Sequence, residues 1–108
     1  MSQLRKAVAL LFLAIAAPAS RSNEVDNFEN LTNQAVARMH TAMHIHFTGD
    51  ADRDFARMMI PHHQGAIDMA LVELRYGKDE RLKRLAQGII VEQQQEIAVM
   101  QRILRRQQ

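Results

Sequence analysis

The 108-residue chain has no cysteine and no tryptophan, only two prolines and four glycines, and 5% aromatic residues. Without cysteine there is neither a disulfide staple nor a thiolate metal ligand. Any soft-metal site must therefore be built from thioether and imidazole. The residues that dominate instead, Leu, Ile, Ala, Met, Gln, Glu and Arg, are those that lose least on entering a helix, which points to an all-α fold. A chain of this length can bury one modest core, so a single domain is expected.

No hydrophobic run reaches the roughly 20 residues that a membrane-spanning helix needs. The longest, Ala7 to Ala17, follows the basic pair Arg5 and Lys6 and precedes Pro18, Ala19 and Ser20. This order reads as a signal-peptide helix over residues 1–22, cleaved after Ala19 or Ser22, that delivers the domain 23–108 to the periplasm. An uncleaved membrane anchor is the rival reading of the same stretch. An excess of either charge is lacking too: removing Arg5 and Lys6 from 14 basic residues leaves 12, against 12 acidic ones. The mature domain is formally neutral, which gives no basis for a nucleic-acid surface or for membrane binding by that domain.

Punctuation divides the remainder into three helical segments. The first is predicted from about Glu24 to Phe47, with Asn23 as N-cap and Thr48, Gly49 and Asp50 as the stop. The second begins near Asp50 or Asp52 and ends at Tyr76, with Gly77 in the left-handed position beyond it; Pro61 inside it predicts a kink, with a break into two helices as the alternative. The third opens after Asp79 and runs toward the C-terminus. Short connections imply an antiparallel three-helix bundle with one side open, so that dimerisation is compatible with the pattern.

All five histidines lie between His40 and His63, together with Met39, Met43, Met58 and Met59. Met39 and Met43, and His40 and His44, stand one turn apart, while Met59 is one turn from His62 and His63. Phe55, Met59, His62, Ala66, Met69 and Ala70 form one stripe, which predicts a buried or interfacial face. On the third helix Leu82, Ala86, Ile89, Ile97, Met100 and Leu104 share a face, with Gln93 and Glu96 in its midst. Folding at Gly77 predicts Gln93 level with His62 and Glu96 level with Met59; folding at Gly49 predicts Met39 and His40 at the depth of Arg57 and Met58. Methionine on such stripes also serves as core filler, above all Met69 and Met100, and His46 near a helix end also suits the dipole there.

A mixed histidine and methionine set without thiolate points to copper in an oxidising compartment, Cu(I) ahead of Cu(II), with other divalent metals also compatible. The candidate ligands are Met39, His40, Met43, His44, Met59, His62, His63, Glu96 and Met100, with Glu96 either orienting a histidine through its second ring nitrogen or completing the shell. A di-iron site would need Glu-x-x-His pairs, and the chain has none.

The run DRDFARMMIPHHQGAIDMA, Asp52 to Ala70, followed by LAQGIIVEQQQEIAVM, Leu85 to Met100, and preceded by Met39, His40 and Met43, is similar to the bacterial family known as domain of unknown function 305. That resemblance implies a ferritin-like helical bundle and a periplasmic copper-binding protein contributing to metal resistance. The family pattern falls on Phe55, Met59, Ile60, His62, His63, Ala66, Met69, Gln93, Glu96 and Met100. The chain lacks extended His- and Met-rich tails, so a single site or small cluster is expected.

The expected function is non-catalytic sequestration or delivery of copper, with a second copy and a periplasmic copper-handling protein as candidate partners. A metal-free helical interaction module is the alternative, and a metal-dependent oxidase a weaker one.

Overall fold

In the computed structural model, residues 21–107 are described; residues 1–20, on which the signal-peptide expectation falls, lie outside them. Three helices follow one another: α1 (Arg21–Met43), α2 (Ala51–Tyr76) and α3 (Glu80–Arg106). No strand occurs among the described residues, and no helix there is long and apolar enough to cross a membrane. The all-α, three-helix class is as predicted.

Helix α1 departs from the sequence reading at both ends. Asn23 lies inside it, not at its cap, and it stops at Met43 instead of Phe47. The His44 amide bonds back to the Thr41 carbonyl at 3.3 Å, which tightens the last turn, and residues 44–50 then run as irregular chain. What holds this segment is Asp54, one turn into α2 and only 6% exposed. Its carboxylate accepts the Thr48 amide at 3.0 Å on each oxygen, the Thr48 hydroxyl at 2.8 Å and the Gly49 amide at 3.2 Å. Arg57 adds a bond to the His46 carbonyl at 3.3 Å. Gly49 has φ +89°, a left-handed backbone that a side chain would disfavour. Residues 44–50 thus form a strap tied to the first turns of α2.

Asp50 caps α2 by accepting the Arg53 amide at 2.9 Å, and Asp79 caps α3 by accepting the Arg81 amide at 2.8 Å. Pro61 sits within an unbroken α2, which rules out two separate helices. Gly77 is extended (φ −67°, ψ 152°) where the left-handed region was expected; its amide still reaches the Glu73 carbonyl at 2.7 Å. Pairing within the cap needs no positive φ when the next two residues carry the chain straight to Asp79.

Helix α2 is the centre of the molecule. It packs against α1 on one side and α3 on the other, and α1 and α3 do not meet among the described residues. Both pairs are antiparallel: Phe28 near the start of α1 meets Tyr76 at the end of α2 edge to face at 6.1 Å, and Arg53 near the start of α2 bonds the Gln107 carbonyl at 3.0 Å. The seams are made of small residues. Ala35, Ala56, Gly65, Ala70 and Ala86 are buried, with Ile67 and Met100, and among the described residues no large side chain is fully covered. Leu82, expected in the core, is 53% exposed, and Glu96, expected in the same buried stripe, is exposed as well. A layer of three helices buries the two flanks of α2 and leaves its faces open.

The Thr48 amide above all, then the Thr48 hydroxyl, the Gly49 amide and the Arg57 charge, hold the Asp54 carboxyl below its ordinary value of 3.8, against burial, which raises it. A depressed folded-state value means stability that is present above 3.8 and lost as pH falls below it through the folded value. Asp54→Asn is expected to lower Tm at neutral pH by several degrees and to flatten the fall of Tm below pH 4, about where the free carboxyl titrates. Thermal melts of both proteins followed by circular dichroism across that range check this; parallel pH profiles would refute it.

Candidate functional site

The last turn of α1, the strap and the first half of α2 enclose an open cleft of about 560 Å³. Its donors are three thioethers, Met39, Met43 and Met58, and three imidazoles, His40, His44 and His62, with Ile45 and Phe47 as apolar walls. The construction follows from helical spacing. Met39 and Met43 lie one turn apart on α1, Met58 and His62 one turn apart on α2, and His44 leaves the helix end to begin the strap. The three methionines are half-buried and the three histidines exposed, which puts sulfur at the floor and nitrogen at the rim. No carboxylate lines the cleft.

The other candidates lie elsewhere. His63 is one residue from His62, and the 100° step between successive helical residues turns it to the α2–α3 seam. There its Nε2 pairs with Glu96 at 2.5 Å, with 17% of the His63 side chain and 58% of the Glu96 side chain exposed. The Nδ1 of His63 is buried and has no hydrogen-bond partner. With Nε2–H donating to the carboxylate, Nδ1 carries a free lone pair. Met100 is a buried residue of α3, and Met59 is half-buried on α2, outside the cleft lining.

The nine candidate ligands therefore do not all line one cleft. Met39, His40, Met43, His44 and His62 come together; Met59, His63, Glu96 and Met100 do not join them. Two registers differ from the expectation. Met39 packs on Gly65 and Arg38 reaches Asp68 at 3.6 Å, about two turns further along α2 than Arg57 and Met58, because residues 44–50 are an extended strap and not more helix. Glu96 meets His63 and not Met59, about one turn along, because Gly77 to Asp79 form an extended connection. Sequence reasoning placed His62 on a buried or interfacial face; within the single chain it is exposed at the rim. It did not assign Met58, Ile45 or Phe47 to the site; Met58 was legible as one turn from His62, whereas the two wall residues depend on where α1 stops. Among the described residues, no three His, Asp or Glu side chains are grouped to hold a metal ion.

Comparison with known proteins gives two matches. A family model described as Domain of unknown function (DUF305) matches residues 11–104. An uncharacterized protein of Acanthamoeba polyphaga mimivirus is 45% identical over 53 residues, 49% of this chain. That stretch spans only 35% of the viral protein's length.

The contact that sets the cleft floor is Met39 on Gly65. A Cβ at Gly65 would lie 2.5 Å from the Met39 sulfur, 2.9 Å from its Cγ and 3.0 Å from its Cβ. Alanine inside a helix is normally better than glycine by about 1 kcal/mol. Here Gly65→Ala is expected to destabilise by about 1–2 kcal/mol through overpacking, and to become neutral or stabilising in a Met39→Ala background. Urea unfolding of the four proteins in this cycle measures it; equal effects in both backgrounds would exclude the contact.

Proposed function

The chain belongs to the domain of unknown function 305 family, and on that premise we propose that it binds copper as Cu(I) in the cleft between α1, the strap and α2. The observation that carries this reading is the donor set: three thioethers and three imidazoles with no carboxylate among them. Thioether and neutral imidazole are soft to intermediate ligands, and a set without oxygen favours a polarisable monovalent ion over magnesium, calcium or manganese. Half-buried sulfur supplies a low-dielectric floor, and the histidines at the mouth supply exchangeable donors through which an ion enters or leaves. His63, steered by Glu96 and keeping a free Nδ1, stands next to His62 as a further donor, about 100° further around α2 toward the α3 seam.

The reading is one of binding, holding the ion or passing it to another copper-handling protein of the periplasm, without catalysis. A shallow, open cleft on an exposed helix end suits transfer, because an incoming ligand reaches the metal without unfolding the domain.

Under reducing conditions, titration against a chromophoric Cu(I) chelator should show tight binding by the native protein. Met39→Leu, Met43→Leu and Met58→Leu combined, swaps that conserve apolar volume, should leave Tm nearly unchanged and weaken Cu(I) binding by about 100-fold, equivalent to about 2.8 kcal/mol. His62→Ala should weaken it as well. Copper should also raise the Tm of the native protein in a concentration-dependent way, which the metal-free module does not allow. Equal Cu(I) affinity in native protein, triple variant and His62→Ala would reject the cleft as the site.

A further inference from the structure

The two faces of the helix layer differ in chemistry. One carries Arg57, Gln64, Asp68 and Arg75 of α2, with Leu71 as its one exposed large apolar residue there. The opposite face carries the stripe Phe55, Met59, His62, Ala66 and Met69, spaced alternately four and three residues apart down the middle of α2. Contacts fix where that stripe lies. His62 opens into the Met/His cleft beside α1, while Ala66 and Met69 line an apolar groove with Leu82, Leu85 and Ile89 of α3.

Helix α3 continues the pattern. Leu82, Leu85, Ile89, Val99 and Ile103 fall on one line with steps of three and four residues, interrupted at its centre by Glu92 and Glu96. Leu82, Leu85, Val99 and Ile103 are 53, 59, 44 and 43% exposed, and Phe55 is 62% exposed. Two neighbouring helices thus present parallel heptad-like seams to solvent on the same side. A lone exposed leucine needs no explanation, but two aligned seams do.

We propose that this face is the self-association surface of the chain, covered by the same face of a second copy. The area agrees with that occupant. At about 150–250 Å² for a large side chain, five residues about half exposed contribute roughly 500 Å². Half-buried Met59, Ala66, Met69 and Ile89 add roughly 150 Å², which brings the patch to roughly 650 Å² per copy, at the lower end of specific interfaces. The heptad spacing and the small Ala66 at mid-stripe suit helix-on-helix packing, in which a self-complementary patch closes a two-fold dimer. The face has no basic cluster to draw a lipid headgroup or nucleic acid, since its charges are Glu73, Glu92 and Glu96 and the arginines of α2 lie on the reverse side.

If the copper reading holds, on which this consequence alone rests, the partner also lies against His62, at one edge of the cleft. The dimer itself stands or falls independently of the metal.

Sedimentation velocity on the purified full chain without metal, from about 1 to 100 µM, tests it, a range that brackets the micromolar affinities of weak standard-size interfaces. The native chain should sediment at twice the monomer mass at the upper end and dissociate on dilution. Phe55→Glu with Leu85→Glu, both at exposed positions, should be monomeric throughout, with an unchanged helical spectrum. A native chain that is monomeric at every concentration overturns the proposal, and so does a double variant that still associates. Cu(I) titration of the monomeric variant separates the two claims: loss of dimer with retained copper binding upholds both, and a dimer that binds no copper removes only the metal.

Discussion

The carboxylate of Asp54 decides the architecture of this protein. A buried carboxylate needs several donors, and the Thr48 amide, the Thr48 hydroxyl and the Gly49 amide supply them from six and five residues upstream. Those donors are free only because α1 has already ended. Were residues 44–47 helical, the chain would arrive at α2 several ångströms away and the Asp54 oxygens would be left without partners. Satisfying one charge thus converts seven residues into a strap, displaces α1 by about two turns along α2, and opens the space that Met39, Met43, Met58 and the three rim histidines share.

The seams on either side of α2 obey a second constraint, close approach without bulk. Alanine and glycine at the crossings let backbones draw near, and Gly65 gives room for the Met39 side chain where any Cβ would collide. The consequence, among the described residues, is a thin core of Ala35, Ala56, Ile67, Ala70, Ala86 and Met100, in which no large side chain is fully covered. A core of that kind stabilises weakly, at about 25 cal/mol per Å² of apolar surface buried. Further burial, by an ion in the cleft or by a second chain on the open face, therefore adds stability where the monomer is short of it.

Much of the fold was legible in the sequence. Asp50 and Asp79 announce the starts of α2 and α3 because a short acceptor side chain just before an apolar-periodic run has few other uses. Pro61 was rightly kept inside a helix. The end of α1 was not legible, since Ile45 to Phe47 continue an acceptable helical pattern and the reason for stopping lies in Asp54, which looks in sequence like any acid in a first turn. The position of Gly77 in extended backbone was equally hidden, because a glycine after a helix is read by its tolerance and not by its need. The clustering of histidine and methionine was legible along the chain, whereas the register that brings particular ones together was not, because it depends on those two connections.

His62 and His63 show what that difference means for chemistry. Adjacent in sequence, they point about 100° apart around α2, one to the cleft with the thioethers and the other to Glu96 across the α3 seam, with ring centres 6.1 Å apart. The pair therefore does not act as two equivalent ligands for one ion in this arrangement. His62 is exposed at the rim, whereas His63 is held through Nε2 and has its Nδ1 buried and unpartnered. An exposed imidazole and a part-buried one thus stand a single peptide unit apart on the same helix. Pro61 immediately precedes both and frees the carbonyl of Arg57 from its usual helical partner, so the one turn of α2 that carries both histidines is also the one with a missing backbone tie.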